Sequence, residues 1–177
     1  MNFEFSADQM QLKDIARKFL EKEDAVKRAR NVLENEESFD ENLWQQIIEM
    51  GFTATAIPEE YGGLGLGYLE LCVIAEELGR SLAPTPFSSS VYLATEAILN
   101  SGDDSLKQNY LPSLANGEKI GSFAHSESNT SPTESNIQCN VSGNALSGKK
   151  IAVVDGDISN FFVVSANNGS NVGLYLC

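Results

Sequence analysis

The chain has 177 residues, 42% hydrophobic and 21% charged, which is enough length for a real core and carries none of the bias of a disordered segment. Twelve basic residues stand against twenty-five acidic ones, and the formal net charge of −13 repels a polyanion at long range, setting nucleic acid aside as a partner. The start, MNFEFSADQM, has no basic stretch leading into an apolar one, and no run approaches the roughly 18 apolar residues of a membrane span. Cys72, Cys139 and Cys177 lie too far apart for a Cys-x-x-Cys zinc site or a disulfide framework, so the expectation is a cytoplasmic protein with reduced thiols and no bound metal.

In chain order, Ser6 and Gln9 form a capping box, with Phe5 and Met10 spaced as a hydrophobic staple across it. Leu12, Ile15, Ala16, Phe19 and Leu20 then recur at helical spacing and predict one buried stripe. The densely charged stretch 22–37 reads as a solvated helical face or loop. Asp40 reads as the next N-cap, with Leu43, Trp44, Ile47 and Ile48 facing inward and Gly51 placed to end that helix in the left-handed conformation.

The stretch PEEYGGLGLGYLELCVIAEELGR puts closely spaced glycines before an apolar run. A dinucleotide loop needs Gly-x-Gly-x-x-Gly, but Gly63 and Gly65 are followed at the third place by Tyr68, and Gly65 and Gly67 by Glu70. No Gly-Lys-Ser/Thr follows either, so a triphosphate loop fails too. What remains is a turn that opens a helix. Leu71, Ile74, Ala75, Leu78 and Leu82 share its inner face, Tyr68 and Cys72 widen that face, and Glu70, Glu77 and Arg80 lie opposite. The arc predicts a helix buried on most sides, with the glycines serving backbone packing.

After Pro84 and Pro86, Val91, Ala94, Ala97 and Ile98 predict a helix ending near Gly102. Leu106, Tyr110, Leu111 and Leu114 predict another, started by Asp103 or Asp104 and disturbed by Pro112. The pattern then changes. Ile137, Cys139 and Val141 alternate with polar residues, a Ser-Gly-Asn turn follows, and KKIAVV, FFVVSA and VGLYLC read as β-rich segments. The fold class expected is α+β: an all-α helical bundle over 1–117, followed by an incomplete antiparallel β domain over 118–177.

That order, carried by IPEEYGGLGLGYLELCVIAEELGR, YLPSLANGEKIGSFAHSE, LSGKKIAVVDG and NFFVVSA, resembles the acyl-CoA dehydrogenase family of flavoenzymes across nearly the whole chain. The resemblance implies an N-terminal helical domain leading into a middle β domain, with a four-helix C-terminal domain beyond. It also implies FAD between the β domain and those C-terminal helices, and assembly as a homo- or hetero-oligomer. The family reaction is α,β-dehydrogenation of an acyl-CoA thioester in fatty acid metabolism, with hydride passing to FAD and on to an electron-transfer flavoprotein or similar acceptor. The family's base is a glutamate of the C-terminal domain. No residue of this chain matches it, so no catalytic residue is assigned here and the 177-residue chain alone is expected to be inactive.

The family's middle-domain motif, aromatic-Ala-x-Thr-Glu-Pro-x-Ala-Gly-Ser-Asp, matches Phe123, Ala124, Ser126 and Glu127 in its first half. The resemblance implies that Ser126 supplies the hydroxyl that approaches the flavin. In the second half only Ser131 stands in for the serine near the substrate. A second motif, Gly-x-Lys-x-aromatic-Ile-Thr-Asn, aligns with Gly148, Lys150, Ala152, Val153, Val154 and Asp155, so Ala152 and Val154 occupy the positions of its aromatic and threonine. The resemblance thus assigns cofactor binding to Phe123, Ala124, Ser126, Val153 and Val154.

Other candidates carry less. His125, the only histidine, has no Cys near it in sequence and reads as structural or ligand-flanking. Glu59, Glu60, Glu76 and Glu77 read as helix-start or solvated-face carboxylates. No Gly-x-Ser-x-Gly elbow supports a hydrolase. Two alternatives to a dehydrogenase portion stay open: a non-catalytic partner subunit of a heteromeric enzyme, and a helical module that binds an acyl or CoA group.

Overall fold

The computed structural model describes residues 4–130 and 132–177; Ser131, the candidate substrate contact, lies outside them. Helix α1 (Ala7–Lys22) opens on the expected capping box, with Gln9 N donating to Ser6 Oγ at 3.2 Å and Ser6 N to Gln9 Oε1 at 2.9 Å. Ala16 and Leu20 are buried, whereas Ile15 sits on the rim of the stripe and is exposed. Phe5 and Met10 are both exposed, and the Lys13 ammonium lies 5.7 Å from the Phe5 ring centroid. The charged stretch folds as α2 (Ala25–Glu34). Asp40 then caps α3 (Glu41–Glu49) by accepting from Leu43 N at 2.8 Å, and Arg28 Nη1 donates to both oxygens of the same carboxylate, fastening α2 to the start of α3. Gly51, at φ +75°, follows the helix as expected.

The glycine stretch is a packed loop. A Cβ on Gly63 would lie 1.9 Å from Ile57 O, so the backbones approach closer than any side chain allows. Leu64 N, Gly65 N and Leu66 N donate to the carbonyls of Ala54, Ile57 and Thr55, each at 2.9 Å, which consumes the amides a phosphate would need. Helix α4 (Tyr68–Arg80) comes next, with Glu70 Oε2 accepting from Gly67 N at 2.9 Å.

The expected burial of α4 needs correction in two places. Tyr68, Cys72 and Leu82 are exposed, because Leu82 lies beyond the last turn and nothing covers the outer side of Tyr68 and Cys72. Glu77, expected on a solvated face, is wholly buried, because α1 lies along that side in the same direction. The ties rise together along both helices: Gln9 to Glu70 at 2.8 Å, Lys13 to Glu76 at 2.8 Å, Arg17 to Glu77 at 2.7 Å and Arg80 to Glu21 at 2.9 Å.

Beyond the prolines, Ser88–Thr95 forms a π-helical segment that runs into α5 (Glu96–Leu99). Helix α6 (Asp104–Ala115) is capped by Asp103 and continues through Pro112. The sheet comprises β1 (Gly121–Ala124), β2 (Asn140–Ser142), β3 (Ala145–Ser147), β4 (Phe161–Asn167) and β5 (Val172–Leu176).

The α+β class holds, and the sheet within it is mixed. The hairpin pairs β2–β3 and β4–β5 are antiparallel as expected, while β1–β4 and the single Asn140–Asn167 bridge of β2 to β4 are parallel. Alternation sets which face a residue takes but not strand direction, and the parallel pairs are those joined by long connections. KKIAVV, expected to be β-rich, is irregular instead, bending at Ala152 (φ +51°) and entering a turn at Val154, with Asp155 next at φ +54°.

Two clusters make the core. One joins α1, α3, α4 and Phe87 around Leu43, Trp44, Ile47 and Ile74. The other packs Ile57, Ile98, Leu111 and Leu114 against Phe161 and Val163 of β4, so the helices support the sheet directly. No helix among the described residues is long and apolar enough to cross a membrane.

Candidate functional site

Strand β1 delivers the first sequence-assigned segment. Ala124 is buried at 3% exposure, Phe123 is half-buried with its ring centroid 5.7 Å from that of His125, and Ser126 is half-buried just beyond the strand. The second segment runs beside it: Ile151 N donates to Ser126 O at 2.8 Å and Ser122 Oγ donates to Val154 O at 2.6 Å. Ile151 therefore lies beside Ser126 just beyond β1 and Val154 lies beside Ser122 within it, so the second segment runs along the first. Val153 is half-buried and Val154 is 53% exposed. Ala124 stands apart from this group, since its side chain is enclosed by the core.

The turn at 152–155 is fixed from several sides. Ser89 Oγ, from the π-helical segment, donates to Asp155 Oδ2 at 2.6 Å, and Ser159 Oγ donates to Asp155 O at 2.7 Å. Two non-glycine residues at positive φ, Ala152 and Asp155, bracket the pair of valines. Such conformations persist only where the surroundings impose them, and here side-chain hydrogen bonds from β1 and the helical layer do so.

Beneath this surface lies a buried polar cluster to which the motif match gave no role. Lys150 Nζ donates to Glu127 Oε1 at 2.7 Å, Ser165 Oγ at 2.9 Å and His125 O at 3.1 Å. Glu127 also accepts from Gln138 N at 2.6 Å and Cys139 N at 2.9 Å. Burial alone would raise the Glu127 pKa; the ammonium and the two amides outweigh it and hold the carboxyl at about 2. The Cys139 thiol is pushed up by burial and by the same carboxylate, which makes it a poor nucleophile. His125 Nδ1 lies 2.8 Å from Ser165 Oγ, a structural contact. The sequence held a signal for this cluster, Glu127 and Lys150 inside recognisable motifs, but no spacing rule places residues so far apart in contact.

The exposed surface suits the edge and face of a planar heteroaromatic group. The Ser126 hydroxyl and the amides of Val153 and Val154 have no hydrogen-bond partner among the described residues, which leaves three donors free along the two segments, with the Val154 side chain exposed. Among the described residues no cluster of His, Cys, Asp and Glu is placed to hold a metal ion.

A helical layer thus packs on a mixed sheet, and two motif segments run side by side along β1. The chain belongs to the acyl-CoA dehydrogenase family: residues 6–118 match the description "Acyl-CoA dehydrogenase, N-terminal domain". It is 31% identical over 175 residues to the mitochondrial isovaleryl-CoA dehydrogenase of Arabidopsis thaliana, covering 96% of this chain and 43% of that one. The acryloyl-CoA reductase (NADH) of Anaerotignum propionicum is 33% identical over 130 residues, covering 73% of this chain and 32% of that protein. Among solved structures, a chain of the ChsE4-ChsE5 complex from Mycobacterium tuberculosis superimposes with a TM-score of 0.87 at 27% identity, covering all of this chain and 48% of that one. The chain thus spans about half the length of these relatives or less.

Proposed function

We propose that this chain is the N-terminal part of a flavin-dependent acyl-CoA dehydrogenase, with a helical domain over 1–117 and part of the middle β domain over 118–177. The observation that carries this reading is the side-by-side course of the two motif segments, with Ile151 N on Ser126 O and Ser122 Oγ on Val154 O. FAD bound there would accept the β-hydrogen of an acyl-CoA thioester as hydride.

The chain's own residues hold and orient. The Ser126 hydroxyl and the Val153 and Val154 amides offer hydrogen bonds to the ring edge, Val154 offers an apolar face, and Phe123 backs the wall. Ser131 is the proposed substrate contact. A general base, the far wall of the cofactor site and a docking surface for an electron-transfer flavoprotein or similar acceptor come from outside these residues. The setting is an oligomer in the cytoplasm, consistent with three free thiols.

Two measurements test the reading. Titration with FAD, followed by quenching of flavin fluorescence, should show saturable binding, while the 177-residue chain given acyl-CoA and an electron acceptor should show no turnover. A chimera joining residues 1–177 to the remaining half of a relative should show both flavin absorbance and turnover. A folded chimera with neither would end the proposal.

A second reading is favoured by one observation: Ala152 and Val154 replace an aromatic and a threonine on the exposed turn, removing a stacking group and a hydroxyl. That loss suits a non-catalytic partner subunit, with the working flavin site supplied by another chain. Co-purification of a stoichiometric second dehydrogenase chain would support it, and isolation as a lone or self-associated species would count against it.

A further inference from the structure

The Lys150–Ile151 dipeptide grips three consecutive residues of the opposite segment. Lys150 Nζ bonds the carbonyl of His125 and the carboxylate of Glu127, while the next amide, Ile151 N, bonds the carbonyl of Ser126 between them. The ammonium has three protons and three acceptors, the third being Ser165 Oγ on β4, so its donor capacity is saturated. Only 7% of the Lys150 side chain and 11% of the Glu127 side chain are exposed. Through Glu127 the grip extends to the amides of Gln138 and Cys139, the approach to β2. One cation therefore joins the end of β1, the middle of β4, the entry to β2 and the turn that carries Val153 and Val154.

We propose that Lys150 is a positioning residue that sets the Ser126 hydroxyl and the Val153–Val154 turn at a fixed separation and height for a planar ligand. This rests on the flavin reading only for the identity of that ligand. Neutralising Glu127 alone would require one contact; the bonds to the His125 carbonyl and Ser165 add nothing to charge balance and are what fix geometry. Because three consecutive residues are held, Ser126 cannot shift along the chain direction without breaking at least one of these bonds. The helices meet β4 through Phe161 and Val163, residues the cluster does not touch.

The test compares Lys150→Met, Lys150→Arg and Glu127→Gln, with the exposed neighbour Lys149→Met as control, in the full chain. Amide exchange resolved by residue is read first. Lys150→Met should accelerate exchange at Ile151, Gln138 and Cys139 by about tenfold or more relative to β4 core amides, and Lys150→Arg should restore part of the protection. FAD affinity, read by fluorescence quenching, should fall in parallel with exchange. If Lys150→Met fails to fold, Glu127→Gln keeps the bonds to His125 O and Ser165 and reports the same local pattern, with its largest effect at Gln138 and Cys139.

Unchanged exchange at Ile151 overturns the proposal. So does acceleration spread evenly over all slow amides, the mark of a merely structural role. Local acceleration with no FAD binding by any form, wild type included, would uphold the positioning role and reject the flavin reading.

Discussion

Replacing Glu77 by Gln tests the helical layer where it is most exposed to error. The carboxylate is fully buried, with Oε1 held by Arg17 Nη2 at 2.7 Å and Oε2 by Arg17 Nε at 3.0 Å and Arg80 Nε at 2.9 Å. Hydrogen bonds from Arg17 lead the causes that hold its pKa at about 2, below its ordinary 4.5, against the opposing effect of burial. A depression of that size corresponds to an upper limit of about 3 kcal/mol of stability. The two arginine side chains are 40% and 45% exposed, however, and water screens the attraction. The expected loss is then about 2 kcal/mol, or about 4–8 °C in Tm.

The sign with pH is set by the lowered pKa. The contribution is fully present above pH 4.5 and fades as pH falls toward 2, so about two-fifths of the difference between wild type and variant should be gone by pH 3.5. Urea unfolding followed by the fluorescence of Trp44, the only tryptophan, measures both quantities. A difference below about 0.5 kcal/mol at pH 7, or one that does not shrink between pH 6 and pH 3.5, would refute the reasoning.

Three further outcomes are expected. Gly63→Ala drives a Cβ to within 1.9 Å of Ile57 O and should cost about 2–4 kcal/mol, whereas Gly62→Ala, at φ +81° in open space, should cost about 1 kcal/mol; thermal melts of the pair separate packing from backbone strain. Asp40→Ala removes the α3 cap and the Arg28 ion pair together and should cost about 2 kcal/mol, while Asp40→Asn keeps the cap oxygen and should cost less by urea titration. On the proposed flavin reading, Val154→Thr places a hydroxyl on the exposed turn and should tighten FAD binding by about tenfold in fluorescence titration, without moving Tm.

Local chemistry is legible in the sequence and tertiary partnership is not. The Ser6 box, the Asp40 and Asp103 caps and the turn at Gly51 depend on residues within a few positions of one another, and the structure shows each where spacing puts it. Glu77 departs from expectation because its environment is made by α1, sixty residues earlier, and a helical wheel drawn for α4 alone cannot show a neighbour on its polar side. The KKIAVV segment departs for a related reason: its β-branched residues suit a strand, but hydrogen bonds involving Ser122, Ser89 and Ser159 impose turns on the residues after Lys150. At the candidate site, motifs locate the two segments, while their contact and the Lys150 cluster beneath them depend on strand pairing that one sequence does not display.

The π-helical segment places the helical layer in a particular rotational phase. Its ladder reaches one residue further than an α-helix does, so each turn carries an extra side chain and Ser89 and Ser90 arrive facing the sheet, one on Asp155 and the other accepting from Gly121 N at 3.4 Å. Removing a single residue between Val91 and Ala94 would let the backbone wind as an ordinary helix, and the two serines would rotate away from the strand they anchor. The length of this short segment thus acts as a gauge: one residue fewer would free the valine turn from its support.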